Sequence, residues 1–157
     1  TLLTIATPWT VRFQEKRGAP AETTFEKLVS YTESSEFGIK YFSGTESYLN
    51  AVQVGKAEGQ VILDLGAVKN LAEVIVNGKS AGIVWKAPFR VEITNLLKEG
   101  GNQLEIKVTN VWVNRLIGDQ QPNCPEKVTF TDAHYYDASS QLLPAGLLGP
   151  VKIVELK

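Results

Sequence analysis

The sequence of 157 residues contains no methionine, one cysteine and one histidine. Cys124 has no second cysteine to pair with, and His134 alone cannot complete a Cys/His cluster for structural zinc or haem. No stretch approaches the roughly 20 consecutive apolar residues that a membrane helix needs. Because the chain starts at Thr1 and has no methionine, we expect a processed protein or an excised fragment that has lost any export signal.

An excess of charge of one sign is also missing. The 16 basic and 17 acidic residues give a net charge of -1, with no long run of one sign. Nucleic acid and anionic membrane surfaces attract strongly basic proteins, so neither is expected as a partner. With 43% hydrophobic residues, the chain can bury one sizeable core but is too short for two comfortable domains. We therefore expect a single module over residues 1–157.

Short runs of β-branched and aromatic residues, separated by Gly, Pro, Asn and Asp, recur through most of the chain and predict an all-β fold. Asn77-Gly78 lies between two apolar runs, and this pair predicts a type I′ hairpin over residues 72–84 because both turn residues need a positive φ. Residues 61–66 form a mostly apolar run, as expected of a central strand covered on both faces. Residues 103–108 alternate apolar and polar, which predicts one buried and one wet face.

Three stretches depart from this regular pattern. Residues 149–156 are strand-like, but their alternation breaks near Ile153-Val154, which predicts a bulge or an edge position. One short helix is expected around residues 24–30. Residues 110–148 are rich in Asn, Pro, Gly and aromatic residues, with a brief strand signal at 127–131. A long structured loop of this kind is usually functional or packed against something else.

The order of several motifs resembles a known family. The motifs are Phe-Ser-Gly-Thr-Glu-Ser-Tyr at 42–48, Leu-Asp-Leu-Gly at 63–66, Ala-Glu-Val-Ile-Val-Asn-Gly-Lys at 72–79, Val-Glu-Ile-Thr-Asn-Leu-Leu-Lys at 91–98 and Gly-Asn-Gln-Leu at 101–104. Together they resemble the sugar-binding-type β-sandwich of family 2 glycoside hydrolases. Further segments at 8–13, 85–91, 109–119 and 143–151 are similar to the C-terminal module of the α-L-rhamnosidase-like family 106 enzymes. The resemblance covers almost the whole chain.

The resemblance implies a two-sheet antiparallel β-sandwich of the jelly-roll, galactose-binding-like kind. It implies that the chain is the C-terminal part of a larger glycoside hydrolase, with no hydrolytic centre of its own and with the catalytic domain of the same polypeptide as its partner. Enzymes of this type are usually exported, so a periplasmic or extracellular location is expected. By analogy, Arg115, Asp119 and residues 143–149 approach the mouth of the active site without performing chemistry.

The residues themselves offer no catalytic site. Glycoside hydrolysis normally needs two facing carboxyl groups, one with a raised pKa, and no pair among the acidic residues is marked by its context. His134 is the only imidazole base, and no Gly-x-Ser-x-Gly elbow or activated cysteine accompanies it. Asp64, Asp132 and Asp137 supply oxygen ligands, but their spacing does not support a structural calcium site. We therefore expect no catalytic residues, assign no metal ligands and expect no cofactor, and a structural calcium ion stays open as an alternative that no spacing supports.

Sugar recognition combines aromatic faces with planar polar groups, and this chain places both types in or beside its predicted loops. The candidate residues are Trp85, Asn110, Trp112, Asn114, Arg115, Asp119, Tyr135 and Tyr136. The same residues could pin a long loop onto the sandwich or pack it against a neighbouring domain. Three functions stay open: an accessory domain that supports a catalytic domain and contacts glycan, a free-standing lectin-like module, and a structural spacer.

Overall fold

The computed structural model describes residues 1–156, which form twelve β-strands, two short α-helices and one 3-10 turn at Tyr31–Glu33. The strands are β1 (Leu3–Thr4), β2 (Trp9–Phe13), β3 (Glu22–Phe25), β4 (Thr45–Val54), β5 (Gln60–Asp64), β6 (Ala67–Lys69), β7 (Leu71–Val76), β8 (Lys79–Val84), β9 (Arg90–Glu92), β10 (Gly100–Thr109), β11 (Gly146–Gly149) and β12 (Lys152–Leu156). The helices are α1 (Phe37–Lys40) and α2 (Val113–Asp119).

The strands form two main sheets in which every strand pairing is antiparallel. The larger sheet has the order β3-β2-β4-β10-β7-β8, and the smaller one has the order β1-β12-β5-β9. A two-stranded ribbon of β11 and β6 accompanies them. The predicted all-β, two-sheet antiparallel sandwich is confirmed.

The core lies between the inner faces of the two sheets. Leu104, Ile106 and Val108 of β10 are buried, as the alternation predicts, and they belong to the same apolar cluster as Val61 and Leu63 of β5. Full burial of such aliphatic side chains stabilises the fold by about 1.5–3 kcal/mol each. Both strands therefore contribute to holding the sheets together.

The predicted hairpin joins β7 to β8 through Asn77 and Gly78, whose φ angles are 51° and 79°. Two successive positive φ angles are the signature of the type I′ turn, so this prediction is confirmed. The side chain of Asn77 also holds the turn in place. Its Nδ2 donates to Leu96 O over 2.9 Å, and its Oδ1 accepts from Gln103 N over 3.0 Å.

Replacement of Gly78 by Ala is expected to lower the free energy of unfolding by about 1 kcal/mol, because only glycine adopts positive φ without steric cost. A methyl group at Gly78 meets no atom within 4 Å, so the whole effect comes from the backbone. Gly55→Ala is the matched control, since its methyl group also meets nothing within 4 Å and its φ is not positive. Urea denaturation measures both; equal midpoints for the two variants would contradict the turn assignment.

Three local predictions are wrong. Residues 24–30 contain no helix, because Thr24 and Phe25 belong to β3, which pairs with β2. Residues 127–131 form no strand, and the regular structure between β10 and β11 is the helix α2 at Val113–Asp119. β12 is neither an edge strand nor bulged, since it lies between β1 and β5 with a continuous register from Lys152 to Leu156. The break in its alternation arises because Val154 faces outward from the small sheet, opposite Ile62.

Candidate functional site

The segment from residue 110 to 145, which we call the loop segment, starts where β10 ends at Thr109. Leu71 of β7 pairs with Thr109, and Val84 of β8 pairs with the next residue of β7, Ala72. Trp85 therefore leaves the sheet at the same end as the loop segment. It follows β8, which lies two strands from β10, so the two points of exit are about 10 Å apart by the usual spacing of strands. The loop segment and Trp85 share one end of the sandwich.

A buried ion pair organises the loop segment. Arg115 and Asp119 are one helical turn apart on α2, and their side chains are 1% and 2% exposed. Arg115 Nε donates to Asp119 Oδ1 over 2.8 Å, and Arg115 Nη2 lies 2.6 Å from the same oxygen. The guanidinium also lies 5.6 Å from the centre of the Phe37 ring. Hydrogen-bonded geometry of this kind is what allows a charge pair to be buried.

Asp119 also binds the backbone of the loop segment. Its carboxylate accepts from Val128 N over 3.2 Å, from Thr129 N over 2.7 Å and from the Thr129 hydroxyl over 2.5 Å. Burial alone would raise the pKa of Asp119, but the bonds from Thr129, Arg115 and Val128 outweigh it and hold this pKa below its usual range. The carboxylate stays charged and fixes residues 128–129 against α2.

Two asparagines tie the ends of the loop segment to the sandwich. The side-chain amide of Asn114 donates to Leu143 O and accepts from Leu143 N, both over 2.8 Å. It thereby satisfies both backbone groups of Leu143, as a neighbouring strand does in a sheet. Asn110 accepts from Gly44 N over 2.9 Å and donates to Phe42 O over 3.1 Å. These amides give the irregular backbone the partners that it cannot find in a sheet.

The candidate residues thus separate into two groups. Asn114, Arg115 and Asp119 are at most 3% exposed, and Asn110 is partly buried; all four have internal partners that hold the loop segment. The four aromatic residues are exposed: Trp85 by 69%, Tyr135 by 85%, Trp112 by 43% and Tyr136 by 36%. The first group positions the segment, and the second faces outward.

The exposed aromatic side chains differ in what lies beside them. One face of Trp112 is occupied by the guanidinium of Arg17, whose central carbon lies 4.4 Å from the ring centre. Lys86 Nζ lies 5.5 Å from the ring centre of Trp85. Cation–π contacts of this kind orient the rings and leave the rest of each side chain open.

Further apolar residues at this end were missed by the sequence analysis. Phe130 is 97% exposed, directly after the segment that Asp119 holds. Val111 is 44% exposed and Leu143 is 43% exposed, and both line a cavity of about 150 Å³ beside Asn70. A single phenylalanine among polar neighbours was the only sequence signal for Phe130.

The remaining candidates for chemistry are engaged elsewhere. Among residues 1–156, no three His, Cys, Asp or Glu side chains form a group that could hold a metal ion. Asp64 accepts from Arg90 Nε over 2.7 Å and from Gly66 N over 2.9 Å.

Among residues 1–156, no helix is long and apolar enough to cross a membrane.

Glu46 is the most unusual acid in the structure. It faces the core from β4, opposite Phe13 and Val108, and is 1% exposed. Neither of its carboxylate oxygens has a hydrogen-bond partner. Burial raises the pKa of Glu46 well above its usual range. A raised pKa is typical of a general acid, but a substrate outside the sandwich cannot reach this side chain.

Comparison with known proteins sets this geometry in context. No family model matches the sequence. The chain is similar to one part of a rhamnosidase. The solved structure of the rhamnosidase from Novosphingobium sp. PP1Y matches with a TM-score of 0.93 and 44% identity over 96% of this chain. A protein of Formosa agariphila named "Putative beta-glucuronidase" is 41% identical over 95% of this chain.

A more distant structure shares the fold alone. The β-D-glucuronidase of Dictyoglomus thermophilum matches 70% of this chain with a TM-score of 0.60 and 21% identity. This chain spans 14% of the Novosphingobium rhamnosidase and 15% of the Formosa protein. The match is therefore to a small part of larger proteins that carry the names of glycoside hydrolases, in agreement with the resemblance seen in the sequence.

Proposed function

We propose that this chain is a non-catalytic accessory β-sandwich domain of a carbohydrate-degrading glycoside hydrolase. Its loop segment packs against the catalytic domain of the same polypeptide, and its two exposed tryptophans, Trp85 and Trp112, contact the glycan. The observation that carries the proposal is the match of 96% of this chain to 14% of a rhamnosidase. A module that corresponds so fully to so small a part of an enzyme has the size expected of one domain among several.

The arrangement of acids supports a non-catalytic role. A hydrolytic centre needs two carboxyl groups that both reach the sugar. Here Glu46 is enclosed in the core, Asp119 is buried against Arg115, and Asp64 is paired with Arg90. These three acids thus have structural surroundings, and catalysis falls to the remainder of the larger protein.

The loop segment supports an interdomain role. Phe130 projects from a backbone that the buried Arg115–Asp119 pair holds in place. Large aromatic side chains on a fixed backbone lose little conformational entropy when they bind, which is why interfaces favour them. We assign Phe130, Tyr135 and Tyr136 to contact with the catalytic domain.

Contact with glycan is the second part of the proposal, and the exposure of Trp85 favours it. An indole that is 69% exposed offers the flat apolar face on which a pyranose ring stacks. Trp112 offers a second face beside Arg17, which can donate to hydroxyl groups. A galactose-binding-like module of a family 2 or family 106 enzyme, acting in the periplasm or outside the cell, fits these features.

A glycan array followed by calorimetric titration of the isolated chain tests the glycan contact. The panel includes oligosaccharides that contain rhamnose and glucuronic acid, because the similar proteins are named as a rhamnosidase and a glucuronidase. Galactose is added because the resemblance is to a galactose-binding-like module. We expect a dissociation constant between about 1 µM and 1 mM, equivalent to about 8 to 4 kcal/mol. Trp85→Ala is expected to weaken binding about tenfold, by analogy with the stacking of a nucleic-acid base on an aromatic side chain, which contributes about 1–3 kcal/mol.

Ile83→Ala is the matched control, because Ile83 is 62% exposed on β8 close to Trp85 but has no aromatic face. It should leave the affinity unchanged. If no glycan binds, the contact with sugar is refuted and the supporting role of the loop segment is what stays. Equal loss in Trp85→Ala and Ile83→Ala would show that the patch binds by apolar burial and not by stacking.

A further inference from the structure

The outer face of the small sheet carries an apolar groove. The outward rows are Lys152–Asp64–Arg90, then Val154–Ile62–Glu92, then Leu156–Gln60. The inner rows bury Ile153 and Leu63 in the core. The groove has a volume of about 410 Å³ and is lined by Ile62, Arg90, Val91, Glu92, Val154 and Leu156.

The strands β5 and β12 carry apolar residues on both faces, a pattern typical of strands that are covered on both sides. An antiparallel sheet with one solvated face normally alternates apolar and polar residues. Here β5 places Ile62 outward, and β12 places both Val154 and Leu156 outward. Ile62 and Val154 stand directly opposite each other in the register. Within residues 1–156, the inner face is covered by the core and the outer face remains open as the groove.

The two carboxylates on the rim of the groove are already hydrogen-bonded within the chain. Asp64 accepts from Arg90 Nε over 2.7 Å, and Glu92 accepts from Gln60 Nε2 over 2.9 Å and from the Thr94 hydroxyl over 3.0 Å. Groups that are paired within the chain need no new partner when the groove is covered. The two acids and two bases around it, Asp64, Glu92, Arg90 and Lys152, leave it without net charge.

These properties define the occupant. A sugar needs an aromatic face and free polar groups, but the groove has no aromatic lining and its carboxylates are engaged. An uncharged aliphatic surface gains stability from burial against another aliphatic surface. The similar proteins are about seven times longer than this chain, since it spans only 14–15% of them, so most of such a polypeptide lies outside the sandwich.

We infer that this groove is a second interface, covered by an aliphatic surface of another domain of the same polypeptide. It lies on the outside of the small sheet, whereas the loop segment leaves the end of the large sheet at Thr109. The inference rests on the proposed function only in that this chain is one domain of a longer polypeptide. The sandwich is thus held between neighbours on two surfaces and is not a terminal appendage attached at one.

Hydroxyl-radical footprinting tests the inference by reading side-chain accessibility directly. The natural full-length polypeptide that contains this sequence is compared with the isolated chain. Labelling of Ile62, Val154 and Leu156 is expected to fall several-fold in the full-length protein. Leu49, a partly exposed aliphatic residue that faces outward on the large sheet, is the reference and should change less. Equal labelling of the three residues in both proteins would overturn the inference.

Val154→Lys provides the matching variant. A lysine on an open face extends into water, so the isolated chain should unfold at the same temperature as before. In the full-length protein the charge cannot be buried, and labelling of Ile62 and Leu156 should return to the level of the isolated chain. Leu49→Lys, the control, should leave that labelling low. If Val154→Lys leaves Ile62 and Leu156 as protected as they are in the unchanged full-length protein, their protection does not come from a surface packed on the groove at Val154, and the inference is overturned.

Sedimentation of the isolated chain separates a second copy from a neighbouring domain. We expect a monomer at all concentrations tested; a dimer that Val154→Lys dissociates would assign the groove to a second copy and overturn the inference. Hydrolysis is measured on the same full-length protein. Protection of the groove without any glycosidase activity would refute the proposed function alone, whereas activity without protection would refute only the interface.

Discussion

Arg115→Ala is expected to lower the free energy of unfolding by about 3–5 kcal/mol, because it leaves the buried carboxylate of Asp119 without its cation. Both side chains are almost fully enclosed, and two guanidinium nitrogens lie within 2.8 Å of Asp119 Oδ1. The substitution also removes a large side chain packed against Phe37. Urea denaturation followed by tryptophan fluorescence measures the loss as a shift of the midpoint at constant slope.

The matched control for Arg115→Ala is Arg12→Ala. Arg12 Nε lies 2.7 Å from Glu22 Oε2, but the two side chains are 63% and 52% exposed. An exposed pair of this kind contributes only about 0–1 kcal/mol. The two variants remove the same side chain at a similar distance from a carboxylate, so burial is what distinguishes them. Equal losses of stability would contradict the role of the Arg115–Asp119 pair as the anchor of the loop segment.

Glu46→Gln is expected to stabilise the protein at neutral and alkaline pH and to leave its stability unchanged near pH 4. The folded protein raises the pKa of Glu46 because it buries the carboxyl group without a hydrogen-bond partner. Between the ordinary carboxyl pKa of about 4.3 and the higher folded value, the folded state binds more protons than the unfolded state. The contribution of Glu46 to stability therefore falls as pH rises through that window, by at most about 1.4 kcal/mol per pH unit.

Glutamine removes this dependence because it is neutral at every pH and has nearly the shape of a protonated glutamate. Urea denaturation of both proteins from pH 4 to pH 9 gives the difference, which should widen with pH and then become constant above the folded pKa. Glu99→Gln, at an exposed position in the connection before β10, should give a difference that changes little over the same range. A pH-independent difference for Glu46→Gln would show that the carboxyl group is not buried as a neutral acid.

The sequence predicted the regular part of the sandwich well because the relevant signals are local. Positive φ at Asn77 and Gly78 is a property of two residues, and burial of every second residue along β10 follows from the pleat. The outward position of Val154 could not be read in the same way. A break in alternation is compatible with a bulge, with an edge strand or with an apolar residue on the outer face. These can be told apart only once the strands on either side are known, and here β12 lies between β1 and β5.

The loop segment was harder to predict because its structure depends on tertiary contacts. α2 contains Val113, Ile117 and Gly118, which are weak helix formers. Gly118 packs directly on Tyr41, where an added methyl group would lie 2.5 Å from Tyr41 Cβ, so the helix is held by a tertiary contact that its own sequence does not announce. Asp119 and Thr129 are ten residues apart, and no short-range pattern marks their bond. The sequence identified the polar residues of the segment without showing which ones face inward.

The most direct test of the proposed accessory role is a comparison of hydrolysis by the isolated chain and by the natural full-length polypeptide. Both are assayed on a panel of nitrophenyl glycosides at equal molar concentration. The proposal predicts no hydrolysis by the isolated chain and measurable turnover by the full-length protein on at least one glycoside. Turnover by the isolated chain that is lost on substitution of one of its own carboxylates would show that the sandwich is itself catalytic and would contradict the proposal.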